Sequence, residues 1–98
     1  MEKLYNNKGQ VAVAISYGYG AGWSSWNGVN PMDKQYNELF LKGDIEAVKK
    51  LAEKNDEYTK GAEEVELVWL DPNTKFIINE YDGSESLQIL EKINHYTA

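Results

Sequence analysis

Gln10-Val11-Ala12-Val13-Ala14-Ile15-Ser16 alternates β-branched residues with alanines, and its reading decides where the rest of the chain goes. β-Branched side chains on one face and methyl groups on the other suit a strand whose small face lies close beneath helices. Its carboxyl end runs straight into Tyr17-Gly18-Tyr19-Gly20-Ala21-Gly22-Trp23-Ser24-Ser25-Trp26-Asn27-Gly28. That loop holds four of the eight glycines, two of the three tryptophans and two of the seven tyrosines. Glycine permits positive φ and close approach of another group. Tryptophan and tyrosine add flat apolar faces with a polar tip. The combination suits a cradle for a ligand, and nothing in it performs chemistry.

Working outward, Asn30-Pro31 reads as a helix entry, with Asn30 as the cap and Pro31 at the first helical position. Met32, Tyr36, Leu39 and Phe40 share one helical face. Gly43 ends that helix and Asp44 caps a second, whose apolar side is Ile45, Val48, Leu51 and Ala52. A polar connection then leads to a second strand, Val65 to Leu70. Asp71-Pro72-Asn73-Thr74 reads as a hairpin turn into a third strand, Lys75 to Tyr81. Asp82-Gly83-Ser84-Glu85-Ser86 breaks that strand, and Asp82 or Ser84 is the expected cap of a final helix burying Leu87, Leu90 and Ile93.

The order β-α-α-β-β-α predicts an α/β two-layer sandwich with a small three-stranded mixed sheet, in one domain spanning residues 1–98. A chain that leaves the top of strand one, descends through one helix and climbs through the next enters strand two from the top. Strands one and two are then antiparallel, and strand three ends on the rim that carries the aromatic loop. The predicted ligand site at this rim is Tyr17, Tyr19, Gly20, Gly22, Trp23, Ser24, Trp26, Asn27, Tyr81, Asp82, Ser84 and Glu85. The tryptophans would stack, the tyrosines would line the pocket, and the acidic segment would fix hydroxyls. An anion would sit on the amino terminus of the last helix.

Composition narrows the function. An apolar share of 42% with 27% charged residues is that of a soluble globule. Without cysteine there are no disulfides, thiolate metal sites or cysteine nucleophile. No apolar run approaches the roughly 18 residues of a membrane span, and Met1 to Lys8 lack the apolar core of a signal peptide, so a cytoplasmic protein is expected. Net charge is −6, and all ten basic residues are lysine. Residues 51–98 carry eleven carboxylates against four lysines, while residues 1–50 carry five against six. An acidic chain without arginine is a poor direct binder of nucleic acid. It suits a basic protein partner, or acidity serves solubility alone.

Catalytic signals are thin. Gly18 and Gly20 begin a dinucleotide fingerprint, but Trp23 stands where its last glycine belongs. Glu80, Asp82 and Glu85 form a carboxylate set whose spacing fixes no metal geometry. The only histidine, His95, has no evident serine or carboxylate partner. No cofactor, metal or catalytic residue is assigned.

The string Gly18 to Asn27, GYGAGWSSWN, with Glu80-Tyr81-Asp82-Gly83-Ser84-Glu85-Ser86 downstream, resembles a family of small bacteriophage and prophage accessory proteins, in which Thr usually replaces Ser25. The resemblance spans most of the chain and carries no catalytic role. It implies an accessory protein acting inside a bacterial host, of the kind that traps a nucleotide signal or blocks a defence protein. The leading expectation is therefore a non-catalytic binder of a small polar or nucleotide-like ligand. The rival is an acidic inhibitor that occupies the nucleic-acid groove of a host enzyme. A hydrolase using Glu80, Asp82 or Glu85 stands third, and a homo-oligomer formed through the aromatic loop is a further possibility.

Overall fold

The structure, a computed structural model, describes residues 2–90. Six residues of alternating Val/Ile and Ala form strand β1, Val11–Ser16, and every one of them is buried. Its partner is β2, Val65–Leu70, which runs antiparallel in a register that sets Val11 opposite Leu70 and Ser16 opposite Val65. The other edge of β1 is occupied too. Ala12 N–H donates to Leu4 O at 2.9 Å and Ala14 N–H to Pro31 O at 2.9 Å. β1 is thus the centre of the molecule, closed on both edges.

The two faces of β1 take different covers. Helices α1, Lys34–Lys42, and α2, Ile45–Lys54, lie on the alanine face, as expected from the small side chains. There Ala14 packs with Trp23, Tyr36, Val48, Ala52 and Ala62. Gly43 turns between the helices at φ 73°, and the Asp44 side chain caps α2 by accepting from Ala47 N–H. The first cap differs from expectation. Asp33, not Asn30, caps α1 and accepts from Tyr36 N–H at 3.2 Å. Asn30 instead closes a tight turn by accepting from Met32 N–H. Proline disfavours helical φ/ψ in the residue before it, and the helix begins only after the Pro31 turn is complete.

The Val/Ile face meets a second sheet. Strands β3, Phe76–Tyr81, and β4, Ser84–Ile89, pair antiparallel as a separate two-stranded hairpin. Phe76, Ile78 and Leu87 cover Val13, Ile15 and Leu70. This overturns the predicted three-stranded sheet and the predicted final helix. The fold is α+β, with two helices and two separate antiparallel ladders.

Both departures have physical causes. A third strand beside β2 would leave the face of Val11, Val13 and Ile15 without a layer over it. The Asp71–Thr74 turn, with Asn73 at φ 69°, instead carries the chain from one sheet onto the other. Asp82 at φ 50° and Gly83 at φ 86° then form the turn that best joins twisted antiparallel strands. Beyond it Glu85 and Leu87 point inward while Ser86 and Gln88 are exposed, the period-two pattern of a half-buried strand. The helical spacing of Leu87, Leu90 and Ile93 loses to this alternation. Ile93 and His95 lie outside the described residues.

Among the described residues, no helix is long and apolar enough to cross a membrane. Tyr36 joins the helical core, and burial pushes its phenol above the usual tyrosine range; the hydrogen bond from Asn55 acts in the opposite sense. Asn37, also buried, donates both amide hydrogens, to Ala12 O and Pro31 O, and so ties α1 to β1.

Candidate functional site

β1 delivers the aromatic loop at its carboxyl end, and the β3–β4 turn reaches the same end. Gly20 N–H donates to Asp82 O at 2.7 Å, and Ser84 Oγ donates to Tyr17 O at 2.9 Å. Two segments about sixty positions apart in sequence therefore share one rim.

What they build there is centred on Glu85, only 1% exposed. Its Oε1 accepts from Ser16 N–H at 2.9 Å. Its Oε2 accepts from Trp23 N–H at 2.7 Å, from Ser25 N–H at 2.9 Å, and from the Ser25 hydroxyl. No lysine forms an ion pair with Glu85 among the described residues. The carboxylate is held by dipoles instead. Taking such a group out of water costs several kcal/mol, and four charge-assisted hydrogen bonds of about 1.5–3 kcal/mol each offset that. All four groups, from three residues, donate, so Oε2 accepts three bonds and Oε1 one.

The loop is thus a cradle, and its guest is a side chain of the same protein. Gly22 must be glycine because a Cβ there would press on Ser25 Oγ, Trp26 and Glu85 Oε2. Gly83 sits against the backbone of Ala21 and has positive φ. Gly83→Ala therefore combines αL strain of about 1–2 kcal/mol with a backbone clash. A loss of at least about 2 kcal/mol in urea-denaturation free energy is expected, with the aromatic loop displaced in NMR shifts.

The residues picked out from sequence divide into three groups. Glu85, Trp23 and Gly22 are interior. Trp23 is fully buried among the helices, edge-on to Tyr36 at 5.1 Å and to Phe40 at 5.3 Å between ring centroids. Its Nε1–H has no acceptor among the described residues. Ser24, Asn27 and Ser84 are half-buried and act on backbone or turn. The Asn27 side chain makes a reciprocal pair with Tyr58, accepting from its N–H at 2.8 Å and donating to its O at 3.0 Å. Tyr17, Tyr19, Gly20, Trp26, Tyr81 and Asp82 face solvent.

Three contributors were missing from that set. Ser16 and Ser25 supply donors to Glu85, and the adjacency of Ser25 to the loop's tryptophans was its only signal. Tyr58 stacks at a tilt on Trp26, with centroids 5.8 Å apart, and nothing in its polar surroundings marked it.

The surface that results is aromatic and acidic. Tyr17 (43% exposed), Tyr19 (74%), Trp26 (43%), Tyr58 (49%) and Tyr81 (78%) stand on this end of the molecule. Asp82 lies among them. Glu57 accepts from Gly28 N–H, Glu80 accepts from Gly83 N–H, and Glu64 lies beside Gly18. Among the described residues no three His, Cys, Asp or Glu side chains cluster for a metal ion. A cleft of about 220 Å³ opens at the opposite end of β1, lined by Val11, Val13, Met32, Leu70 and Phe76 together with Lys3, Tyr5 and Asp71. No family model, curated protein or solved structure matches the chain.

Proposed function

We propose that the protein is a non-catalytic binding module that presents its aromatic, acidic rim to the basic surface of a partner protein. The observation that carries this reading is the exposure of Tyr17, Tyr19 and Trp26 on a loop fixed from beneath by Glu85, with Tyr58 stacked on Trp26 and Tyr81 exposed at the end of β3 beside them. Rigid aromatic side chains lose little entropy on contact, and they dominate the binding energy of interfaces. The surrounding carboxylates of Asp82, Glu57, Glu64 and Glu80 favour lysine and arginine, which also bind aromatic faces. A resemblance to phage accessory proteins supports a bacterial host protein as that partner.

The test is a comparison of variants. Tyr19→Ala, Trp26→Ala and Tyr81→Ala combined remove exposed rings and leave the fold near its original stability. Partner recovery from bacterial lysate, quantified by mass spectrometry, falls at least about a hundredfold on hot-spot magnitudes. Charge reversal at Glu46 and Glu53, on the outer face of α2, leaves recovery unchanged. A protein retained equally by all variants defeats the proposal. Release of an intact small compound on denaturation, with no protein partner, favours the polar-ligand reading in its place.

A further inference from the structure

Asn27-Gly28 is the only Asn-Gly pair in the chain, and it lies in the aromatic loop outside any helix or strand. Such a pair carries a reaction of its own. The glycine nitrogen gives its proton to a solvent base and attacks the asparagine side-chain carbonyl carbon, an approach that glycine leaves unhindered. A five-membered succinimide closes as the bond to Nδ2 breaks, and Nδ2 departs as ammonia with a proton from water. Water then opens either carbonyl of the ring. One opening gives aspartate, and the other gives isoaspartate, with the backbone rerouted through the side chain.

Both reacting groups are held in the folded chain. Gly28 N–H donates to Glu57 Oε2 at 3.3 Å. The nitrogen must become anionic to react, and a carboxylate beside it opposes that charge as well as holding the proton. The Asn27 amide is held at both ends by the Tyr58 backbone, accepting at 2.8 Å and donating at 3.0 Å. That reciprocity settles which atom is oxygen and which nitrogen. An amide so held turns only when the pair opens. The fold itself makes no demand for glycine at 28. A Cβ there would meet only Glu57 Oε1, at 3.7 Å, and its φ lies outside the left-handed region.

We infer that Asn27-Gly28 is a masked self-modification site, kept unreacted by Glu57 and Tyr58 while they dock on the loop and deamidated when they part from it. The product cannot dock again in the same way. Aspartate at 27 turns an oxygen toward Tyr58 O where Nδ2–H had been, and it adds a charge beside Glu57. Isoaspartate also adds a carbon to the backbone. Either product undoes the pair that holds Tyr58 against Trp26, whose rings lie 5.8 Å apart. The change to the rim is one-way, whatever the rim binds.

Peptide mass spectrometry of the full chain, incubated at neutral pH, tests this through the mass rise that replacing NH₂ by OH brings at residue 27. The folded parent deamidates at least about tenfold more slowly than the same chain unfolded in guanidinium chloride, the factor that one hydrogen bond to a charged group supplies. Glu57→Ala, checked for its fold by circular dichroism, deamidates about tenfold faster than the folded parent on the same grounds. Adding Gly28→Ala to Glu57→Ala suppresses the reaction again, because the new methyl group hinders the attack. Asn27→Asp, which mimics one product, loses the nuclear Overhauser contacts between the Trp26 and Tyr58 rings. Equal rates in the folded and unfolded parent overturn the proposal. So does a folded Glu57→Ala chain as slow as the parent, or an Asn27→Asp chain that keeps the ring contacts. If Glu57→Ala fails to fold, hydrogen exchange at the Gly28 amide of the parent decides: protection upholds the mask and free exchange removes it.

Discussion

Glu85→Gln lowers stability by about 3 kcal/mol or more, the cost of uncoupling a buried charged group from its partners. In a domain of this size that is about 12–24 °C in thermal midpoint. The substitution is nearly isosteric, so the effect isolates hydrogen-bonding chemistry from packing. The Glu85 oxygens accept from Ser16, Trp23 and Ser25 and never donate. A glutamine must turn an NH₂ toward N–H groups that already point at it, and at least one donor is left buried and unpaired. Circular dichroism on heating measures the change. Ser25→Ala is the graded control, removing one donor of the set at about 1 kcal/mol. A Glu85→Gln midpoint within 2 °C or so of the parent, by the same conversion, contradicts the cradle as the element that fixes the loop.

Trp23→Ala is the second large effect, expected at about 3–5 kcal/mol by analogy with other buried aromatic truncations. Trp23 fills the space between the loop and both helices, with Tyr36 and Phe40 meeting it edge-on. Truncation empties that space while leaving the Trp23 backbone N–H on Glu85. Trp23→Phe costs clearly less. It retains a ring for the edge-to-face contacts and removes the Nε1–H that lacks an acceptor, a burden of about 1–3 kcal/mol when buried. Urea denaturation of the three proteins ranks them. Equal losses for Ala and Phe contradict a packing role and assign the indole nitrogen an acceptor of its own.

The fate of the two tryptophans shows how far residue order alone could be followed. β1, its covering helices and its antiparallel partner were all legible, because alternation and helical periodicity are local and strong there. In sequence, Asp82-Gly83 reads only as a break ahead of a helix spaced by Leu87 and Leu90; that it turns a hairpin instead is decided only by what lies opposite. Phe76, Ile78 and Leu87 needed a surface to cover, and the Val/Ile face of β1 needed a cover. That mutual requirement is tertiary and has no trace in a single segment. The loop's glycines and aromatics read as a cradle for a ligand, whereas the group they hold is Glu85, and no spacing rule links Ser16, Trp23 and Ser25 to that glutamate. Nor does composition separate Trp23, turned inward, from Trp26, turned out.

That separation along the chain has a kinetic consequence. The bonds closing on Glu85 join residues 60 to 69 positions apart. A chain emerging from the ribosome exposes β1 and its glycine-rich extension well before the acceptor has been synthesised. Contacts of such long range form slowly, since chain entropy must be lost before they give any return. The helices and their alanine face can assemble first, whereas the outer end of the molecule acquires its shape only after the last hairpin has docked. Synthesis arrested before residue 85 yields a chain whose apolar strand is bare on one side, the state most open to capture by chaperones or by aggregation.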